Sequence, residues 1–358
     1  MVLLLSSFPS MKLAVIISPN WKDYAQKYLE DCLASLRLSD FQDFKIYLID
    51  NETSNESFSY LKAKAPEAKI ITLEKNEGFA GGNNAALKEV LENNFEYVFL
   101  LNMDALVSPN CLGELINCAD SNLKIGALQP RIMLWPEKDL INSLGNETHF
   151  LGFGFCRAYR EKYNDIDKSI KEVVYVSGAG MLLRTEALKE IGIFDEELWM
   201  YNEDQDLSLR LALAGWENCI LPKAEMFHKY EFSRSINKYY WMDRNRIIVI
   251  LKSYKIITLI LILPAFIIME IGHIFFSLAG GWFKEKLRVW FYFLKFSSWV
   301  YIFKARLDIQ SKRKINDRLF TKNFVGKIWY QEIADWKLRL ANPFFNIYWI
   351  VVRFIMFW

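Results

Sequence analysis

Short apolar segments alternate with amphipathic segments in the first third of the chain, and this alternation constrains the fold more than any other feature. Apolar runs of strand length occur at residues 12–18, 45–50, 69–73 and 97–102. Between them, apolar residues recur at helical spacing, as in residues 23–38 and 79–93. Strands that alternate with helices of this length form a mainly parallel sheet covered on both faces. We therefore expect an α/β fold with a mainly parallel sheet flanked by helices.

The composition changes near residue 247. Before this point the chain has an ordinary alternating α/β pattern, whereas residues 247–358 are rich in Ile, Leu, Phe and Trp and carry many Lys and Arg residues. Within this part, residues 256–283 contain only Glu270 and His273 as ionisable groups, and about 20 apolar residues suffice to cross a bilayer. We predict an α/β domain at residues 1–246 and a helical membrane-associating region at residues 247–358.

Two further apolar segments indicate contact with a membrane surface. Residues 289–303 and 343–358 are shorter and are interrupted by Lys295 and Arg353, which predicts interfacial amphipathic helices with Trp and Tyr at the level of the headgroups. The basic cluster at 312–314 favours a cytoplasmic membrane face. We expect the protein on the cytoplasmic face of the plasma membrane, either peripheral or with one hydrophobic segment inserted. The alternative is a buried hairpin in the core of a soluble protein.

The cysteines and the first residues agree with a cytoplasmic location. The five cysteines are scattered and include no C-x-x-C pair, so reduced thiols fit better than a disulfide framework or a structural zinc site. Residues 1–7 are too short for a signal peptide and lack its basic n-region.

Polar segments follow the predicted strands at the edge of the sheet where ligands bind in such folds. Asp50 and Asn51 end the second strand, a glycine-rich segment at 76–84 follows the third, and Asn102 and Asp104 follow the fourth. A carboxylate at such a position can hold a hard divalent cation. The helix N-terminus after the glycines favours phosphate, although the spacing matches neither a dinucleotide fingerprint nor a P-loop.

An acidic cluster opens a predicted helix farther along the chain. Glu203, Asp204 and Asp206 begin this helix, and aromatic residues that include Trp199 precede it. Carboxylates in a first turn are ordinarily favourable because they face the positive end of the helix dipole. Asp206 and Arg210 are spaced i, i+4, which predicts a structural ion pair. Together with the acidic residue after the fourth strand, the cluster suggests a catalytic cleft.

These segments together resemble a family 2 glycosyltransferase of the GT-A fold, in particular its rhamnosyltransferase-like branch. The resemblance includes Asn-x-Gly-Phe-x-Gly-Gly-Asn-Asn after the third strand and Leu-Asn-x-Asp after the fourth. It continues through segments with the family's pattern at Ser177–Arg184, Gly192–Glu196, Glu203–Arg210 and Gly215-Trp216. The similarity covers residues 12 to about 235 and implies a nucleotide-diphospho-sugar transferase at residues 1–246.

The resemblance also implies roles for individual residues. Those at the donor sugar nucleotide would be Asn20, Asp50, Asn51, Asn76, Gly82, Asn83, Asn102 and Asp104. A divalent cation, Mg²⁺ or Mn²⁺, would be held by Asp104 and His228. Asp204 would act as the general base, and Glu203 would orient it or the acceptor. The acceptor itself would contact Trp199 and Gly178.

Two features differ from the family pattern, and the signature of processive synthases is also absent. Asn102 stands where the first acidic residue of D-x-D is usual, which leaves Asp104 as the only carboxylate of that motif. The first strand ends in Ser18-Pro19-Asn20 rather than Thr-Tyr-Asn. The processive signature Gln-x-x-Arg-Trp is absent after Asp204, which favours the addition of one sugar at a time.

The resemblance predicts an inverting hexosyl- or rhamnosyltransferase of bacterial surface polysaccharide synthesis. The expected partners are a dTDP- or UDP-sugar, a lipid-linked oligosaccharide acceptor and a membrane surface, and no nucleic acid. Lys229 and Arg234 are further candidates for contact with phosphate. Two alternatives remain open: a nucleotidyl- or phosphoryl-transfer enzyme that uses the same cleft, and a catalytically inactive GT-A scaffold in a glycan-assembly complex.

Overall fold

The computed structural model describes residues 11–51, 54–164, 167–229, 236–328 and 336–358. At residues 237 and 336–340 it describes the backbone alone. Residues 1–7 and Arg234, for which the sequence made predictions, lie outside the described residues.

Strands and helices alternate along the described chain. The strands are β1 (Leu13–Asn20), β2 (Phe44–Asp50), β3 (Lys69–Thr72), β4 (Tyr97–Leu101), β5 (Ala105–Val107), β6 (Ile125–Leu134), β7 (Ile141–Ser143), β8 (Asn146–Thr148), β9 (Gly154–Cys156), β10 (Lys171–Glu172), β11 (Gly180–Arg184) and β12 (Glu217–His228). The α-helices are α1 (Tyr24–Arg37), α2 (Asn55–Lys64), α3 (Gly78–Glu92), α4 (Cys111–Ser121), α5 (Thr185–Ile191), α6 (Glu203–Leu213), α7 (Asn237–Ser253), α8 (Ile256–Ala279), α9 (Phe283–Leu294), α10 (Phe296–Lys312), α11 (Asp317–Phe320) and α12 (Trp336–Ile355).

One large mixed sheet forms the centre of the fold. Its strand order is β10-β12-β6-β11-β4-β1-β2-β3, and β5 and β7 pair with β12 and β6. Strands β4, β1, β2 and β3 are mutually parallel, whereas β11 runs antiparallel between β4 and β6. Because the four parallel strands point the same way, their carboxyl ends meet at one edge of the sheet. The predicted α/β sheet with flanking helices is confirmed.

Strand β1 lies at the centre of the sheet and contributes to the core on both of its faces. Leu13, Val15 and Ile17 belong to one hydrophobic cluster, and Ala14 and Ile16 belong to the cluster on the opposite face. Successive side chains of a strand point to opposite faces. A continuous apolar run is therefore what a strand buried between two layers of helices requires.

The helices after residue 247 pack directly on the α/β part. The predicted boundary at residues 246 and 247 falls inside α7, and one hydrophobic cluster joins Phe150 and Leu209 to residues of α7, α8, α10 and α12. Helix α8 is the one helix of the described chain that is long and apolar enough to cross a membrane. The division into two regions remains a prediction.

Two boundaries in the C-terminal part differ from the predicted ones. The segment predicted as a single helix at 289–303 belongs to α9 and α10, which meet at Lys295, where the backbone is extended. The predicted helix at 343–358 begins earlier, at Trp336, and includes Pro343. The apolar pattern located these helices but did not specify their ends, because tertiary packing decides where a helix stops.

Candidate active site

The ends of β1 and β2 are connected through the first turn of α2. Asn20 Nδ2 donates to Ser57 Oγ at 2.8 Å, and Ser57 Oγ donates to Asp50 Oδ1 at 2.9 Å. Asn20 and Asp50 are 1% and 0% exposed. The structure thus brings these two predicted donor residues together in the protein interior, and their contact with a nucleotide remains a prediction.

The glycine-rich segment after β3 lies against the ends of β1 and β2. Asn51 Nδ2 donates to the carbonyl of Gly78 at 3.2 Å, and Asn76 Oδ1 accepts from the N–H of Gly78 at 2.8 Å. A Cβ atom at Gly82 would lie 2.3 Å from Pro19 Cγ, closer than any side chain tolerates. The absence of a side chain at Gly82 therefore allows α3 to approach the end of β1.

Asn83 carries a polar atom that the protein itself does not use. Its Nδ2 donates to the carbonyl of Phe79 at 2.9 Å, but its buried Oδ1 has no hydrogen-bond partner among the described residues. Buried polar atoms are nearly always paired. A ligand hydroxyl or amide is a suitable partner for this oxygen.

Asp104 and His228 meet because of the pairing between β5 and β12. The register places His228 opposite Ala105, and His228 Nε2 lies 3.1 Å from Asp104 Oδ1. Tyr24 donates from its hydroxyl to Asp104 Oδ2 at 2.6 Å. Asn142 Oδ1 lies 3.2 Å from the other ring nitrogen of His228, and contacts of this kind fix the ring orientation of metal-binding histidines.

The surroundings of Asp104 favour its ionised form. Burial alone would raise the pKa of this carboxyl, but His228 and the Tyr24 hydroxyl outweigh burial and lower the pKa below its ordinary value. A carboxylate oxygen and an imidazole nitrogen 3.1 Å apart fit a divalent cation whose remaining ligands are water and substrate phosphate. Asn102 Nδ2 lies 3.5 Å from His228 Nε2 and so lines the same place.

Asp204 is held by backbone donors from two different elements. Its Oδ2 accepts from the N–H of Gly178 at 3.0 Å, and its Oδ1 accepts from the N–H of Gln205 at 2.7 Å. The side chain is partly exposed. Burial raises the pKa of Asp204 above its ordinary value, although the two backbone donors oppose this effect. A partly exposed carboxylate with a raised pKa is a suitable proton acceptor.

Glu203 lies beside this carboxylate in a more enclosed position. It is 7% exposed, and its Oε2 has no hydrogen-bond partner among the described residues. Burial, followed by the negative charge of Asp204, raises the pKa of Glu203 well above its ordinary value. Its unpaired oxygen beside Asp204 is a suitable partner for a hydroxyl of an acceptor.

An unusual backbone conformation leads into the acidic helix. Trp199, Tyr201 and Asn202 have φ angles of 57°, 67° and 63°, in the left-handed region that residues other than glycine seldom adopt. Asn245 of α7 is 0% exposed. Its Nδ2 lies 2.8, 3.0 and 2.7 Å from the carbonyls of Leu198, Met200 and Tyr201. Asn245 thus supports the segment that positions Glu203 and Asp204.

Two predicted features near this segment have different outcomes. The indole of Trp199 stacks on Trp241 with ring centroids 4.8 Å apart, and its contact with an acceptor remains a prediction. The predicted ion pair is confirmed, since Arg210 Nε lies 2.8 Å from Asp206 Oδ2. Lys252 Nζ lies 2.8 Å from Asp206 Oδ1, which joins α6 to α7 through buried charges.

Sequence reasoning missed three side chains that support these groups. Tyr24, Asn142 and Asn245 contact Asp104, His228 and the segment before Glu203. None of the three belongs to a motif. Asn142 lies in β7 and Asn245 lies in α7, so no signal in the sequence singled them out.

The fold and the site geometry define a class of proteins, the nucleotide-sugar glycosyltransferases with a GT-A fold. Residues 9–247 match the sequence model of the family described as glycosyltransferase like family 2. The chain belongs to this family, and the protein is a glycosyltransferase.

Similar proteins include curated relatives and solved structures. N-acetylglucosaminyl-diphospho-decaprenol L-rhamnosyltransferase of Mycobacterium tuberculosis is 28% identical over 221 residues, which cover 56% of this chain and 71% of that protein. Poly-beta-1,6-N-acetyl-D-glucosamine synthase of Staphylococcus epidermidis is 26% identical over 55% of this chain and 45% of that protein.

Two crystal structures share the fold. TarS 1–349 of S. aureus has a TM-score of 0.50 at 20% identity, covering 96% of this chain and 90% of that one. GalNAc-T7 with UDP, GalNAc and Mn²⁺ has a TM-score of 0.52 at 13% identity, covering 66% of this chain and 47% of that one.

Proposed function

We propose that this glycosyltransferase moves a single sugar, with inversion, from a nucleotide-diphosphate sugar to a hydroxyl of a lipid-linked glycan acceptor. One observation carries the proposal. The N–H of Asn102 donates to the carbonyl of Ala179 at 2.9 Å, and the N–H of the preceding Gly178 donates to Asp204 at 3.0 Å. The adjacent residues Gly178 and Ala179 thus connect Asp204, the proposed base, to the segment that contains Asn102 and Asp104.

In this mechanism Asp204 accepts the proton of the acceptor hydroxyl. The acceptor oxygen then bonds to the anomeric carbon while the bond from that carbon to the diphosphate oxygen breaks, and attack from the opposite face inverts the centre. Glu203 orients the acceptor or Asp204, and Trp199 provides an aromatic face for a sugar. A positioned base contributes a factor of about 10²–10⁴.

The donor nucleotide is assigned to the edge of the sheet formed by β1 to β4. Asn51 and Asn76 contact Gly78 at the start of α3, and Gly82 and Asn83 belong to this helix. Asn20 and Asp50 lie at the ends of β1 and β2, and the N-terminus of α3 favours phosphate. Asp104 and His228 would hold Mg²⁺ or Mn²⁺, which when bound neutralises charge on the departing diphosphate. The presence of Mn²⁺ with UDP in the crystal structure of GalNAc-T7 supports this assignment.

The lipid-linked acceptor and the membrane location are supported by different observations. The mycobacterial relative is named for a diphospho-decaprenol substrate, and α8 has the length and composition of a membrane helix. We propose that the enzyme works on the cytoplasmic face of the plasma membrane, with a dTDP- or UDP-sugar as donor.

Calorimetry of nucleotide binding tests the proposal. We would titrate UDP, dTDP and GDP, with and without Mn²⁺, into the protein and into Asp104→Ala. The expected result is metal-dependent binding of one nucleotide that Asp104→Ala abolishes, because this substitution removes the carboxylate ligand. Asp120→Ala is a matched control, since Asp120 accepts from the hydroxyl of Tyr97 at the start of β4, at the opposite edge of the sheet. If the folded protein bound no nucleotide, the inactive-scaffold alternative would be favoured.

A further inference from the structure

Exposed apolar side chains are concentrated in the C-terminal helices. Seven of the 31 exposed large hydrophobic side chains in the described chain precede residue 256, and the other 24 lie in residues 256–358. Contiguous apolar area of this kind marks contact with a membrane or another protein.

Helices α8 and α12 each have one buried and one exposed apolar face. The buried stripe of α8 runs along nearly its whole length and consists of Thr258, Ile262, Ala265, Met269 and Ser277. The two helices are neighbours, and Tyr348 of α12 donates to the carbonyl of Leu261 at 2.6 Å. We define the apolar surface as their outward faces, represented by Ile260, Ile267, Ile271, Phe275, Ile347 and Phe354, which are all at least 50% exposed.

Helix α8 is bound to the same protein body at its first turn and again just past its middle. In the first turn, Thr258 Oγ1 donates to Asp317 Oδ2 at 2.5 Å. Past the middle, Glu270 Oε2 lies 2.5 Å from Lys286 Nζ, and His273 also faces the protein. The separation of 12 positions from Thr258 to Glu270 corresponds to about 18 Å along the axis. The polar groups of α8 are thus satisfied by the protein on one side of the helix.

This anchoring is incompatible with a helix that crosses a bilayer alone. If α8 crossed the bilayer, the protein groups that contact it would lie within a hydrocarbon layer about 30 Å thick. Among these contacts is Asp243 of α7, which lies 3.3 Å from His273. Helix α7 also carries Asn245, which supports the segment before Glu203. Charged groups and irregular backbone are strongly disfavoured in hydrocarbon. We infer that α8 lies in the plane of the membrane and that the apolar surface inserts into a single leaflet.

The charge of this region favours anionic lipid over a second copy of the chain. Residues 247–358 contain 17 Lys and Arg against 6 Asp and Glu, so two copies would repel each other, whereas acidic headgroups would attract the surface. Lys295 and Lys304 are exposed near the apolar side chains of Phe296 and Phe303, as expected for basic residues at a headgroup layer. The inference rests on the membrane association proposed above and is independent of the transfer reaction.

Depth measurements in lipid vesicles test the orientation of α8. We would place nitroxide labels at Ile260→Cys, Ile267→Cys and Phe275→Cys in the full-length protein, with Cys118 and Cys156 replaced by Ala. Vesicles of phosphatidylethanolamine and phosphatidylglycerol would supply anionic headgroups. Leu123→Cys is the matched control, because Leu123 is 73% exposed and follows α4 in the α/β part.

An in-plane helix places all three labels at one depth, about 5–10 Å into the leaflet, and leaves the Leu123→Cys label in water. A crossing helix would instead place the label at position 267 near the bilayer centre and the other two near opposite surfaces, which would overturn the inference. Labels that all stay in water would overturn both the inference and the membrane association. The measured depths do not depend on the transfer reaction, since neither donor nor acceptor is present in the experiment.

Discussion

The backbone N–H of Gly178 donates a hydrogen bond to Asp204 Oδ2 at 3.0 Å, and this contact joins two motifs that are 26 residues apart. It fixes the proposed base relative to β11, the antiparallel neighbour of the strand that leads to Asp104. The contact thus holds the start of α6 against the turn that leads into β11.

The first prediction concerns the proposed base. Asp204→Asn preserves the shape of the side chain but removes its ability to accept a proton, so we expect turnover to fall by at least about 100-fold. Affinity for the donor nucleotide should be nearly unchanged in calorimetry, because the donor residues lie on other elements. Asp120→Asn should retain normal turnover, and near-normal turnover of Asp204→Asn would exclude Asp204 from this role.

The second prediction concerns pH. Burial raises the pKa of Asp204 above its ordinary value of 3.8, and a general base must be ionised to act. Activity should therefore decrease as the pH falls through this raised pKa, which places the acidic limb of kcat/KM above pH 3.8. The measurement is a pH profile of kcat/KM for the acceptor, with folding followed by tryptophan fluorescence. An acidic limb at or below pH 3.8 would contradict the assignment.

The third prediction concerns Asn245 as a positioning residue. Asn245→Ala removes the donor that faces three carbonyls, and we expect a loss of about 1–3 kcal/mol in the free energy of unfolding. The segment before Glu203 should shift, so kcat should fall by up to about 100-fold while donor affinity is kept. Asn93→Ala is the control, since Asn93 is exposed and bonds only within its own helix end. A normal kcat in folded Asn245→Ala would refute the positioning role.

The fourth prediction compares two lysines. Lys252 is 1% exposed and pairs with Asp206 and Asp195, whereas Lys88 pairs with Glu196 at the surface. Lys252→Met leaves Asp195 without its lysine and Asp206 with Arg210 as its remaining cation, and it should lower the free energy of unfolding by about 3–5 kcal/mol. Lys88→Met should change it by about 1 kcal/mol or less. Urea unfolding of both variants provides the comparison. Equal losses in the free energy of unfolding would show that the buried ion pairs of Lys252 stabilise the fold no more than the surface pair of Lys88.

The ion pair between Lys252 and Asp206 also affects the design of truncated proteins. A cut after residue 246 would divide α7 and remove Lys252 from Asp206, so such a fragment would lose stability as well as its C-terminal helices. Point substitutions on the apolar surface are therefore the better way to separate membrane contact from folding.

The sequence directly predicted that polar residues lie at the carboxyl ends of the parallel strands. A continuous apolar run such as β1 is required for a strand buried on both faces, and parallel strands bring their carboxyl ends to one edge. Asp104 and the glycine-rich segment could therefore be assigned to one cleft, and the family motif added Asp204. These features are local patterns of residue type, which the sequence displays directly.

Other features depended on contacts between residues far apart in the chain, which only packing determines. The partners of His228 and of the segment before Glu203, namely Asn142 and Asn245, belong to elements without a recognisable motif. The apolar composition of α8 was equally compatible with crossing a membrane and with lying on it. The inference that α8 lies on the membrane depends on the tertiary structure, which places Thr258, Glu270 and His273 against a single protein body and leaves one apolar face of the helix exposed.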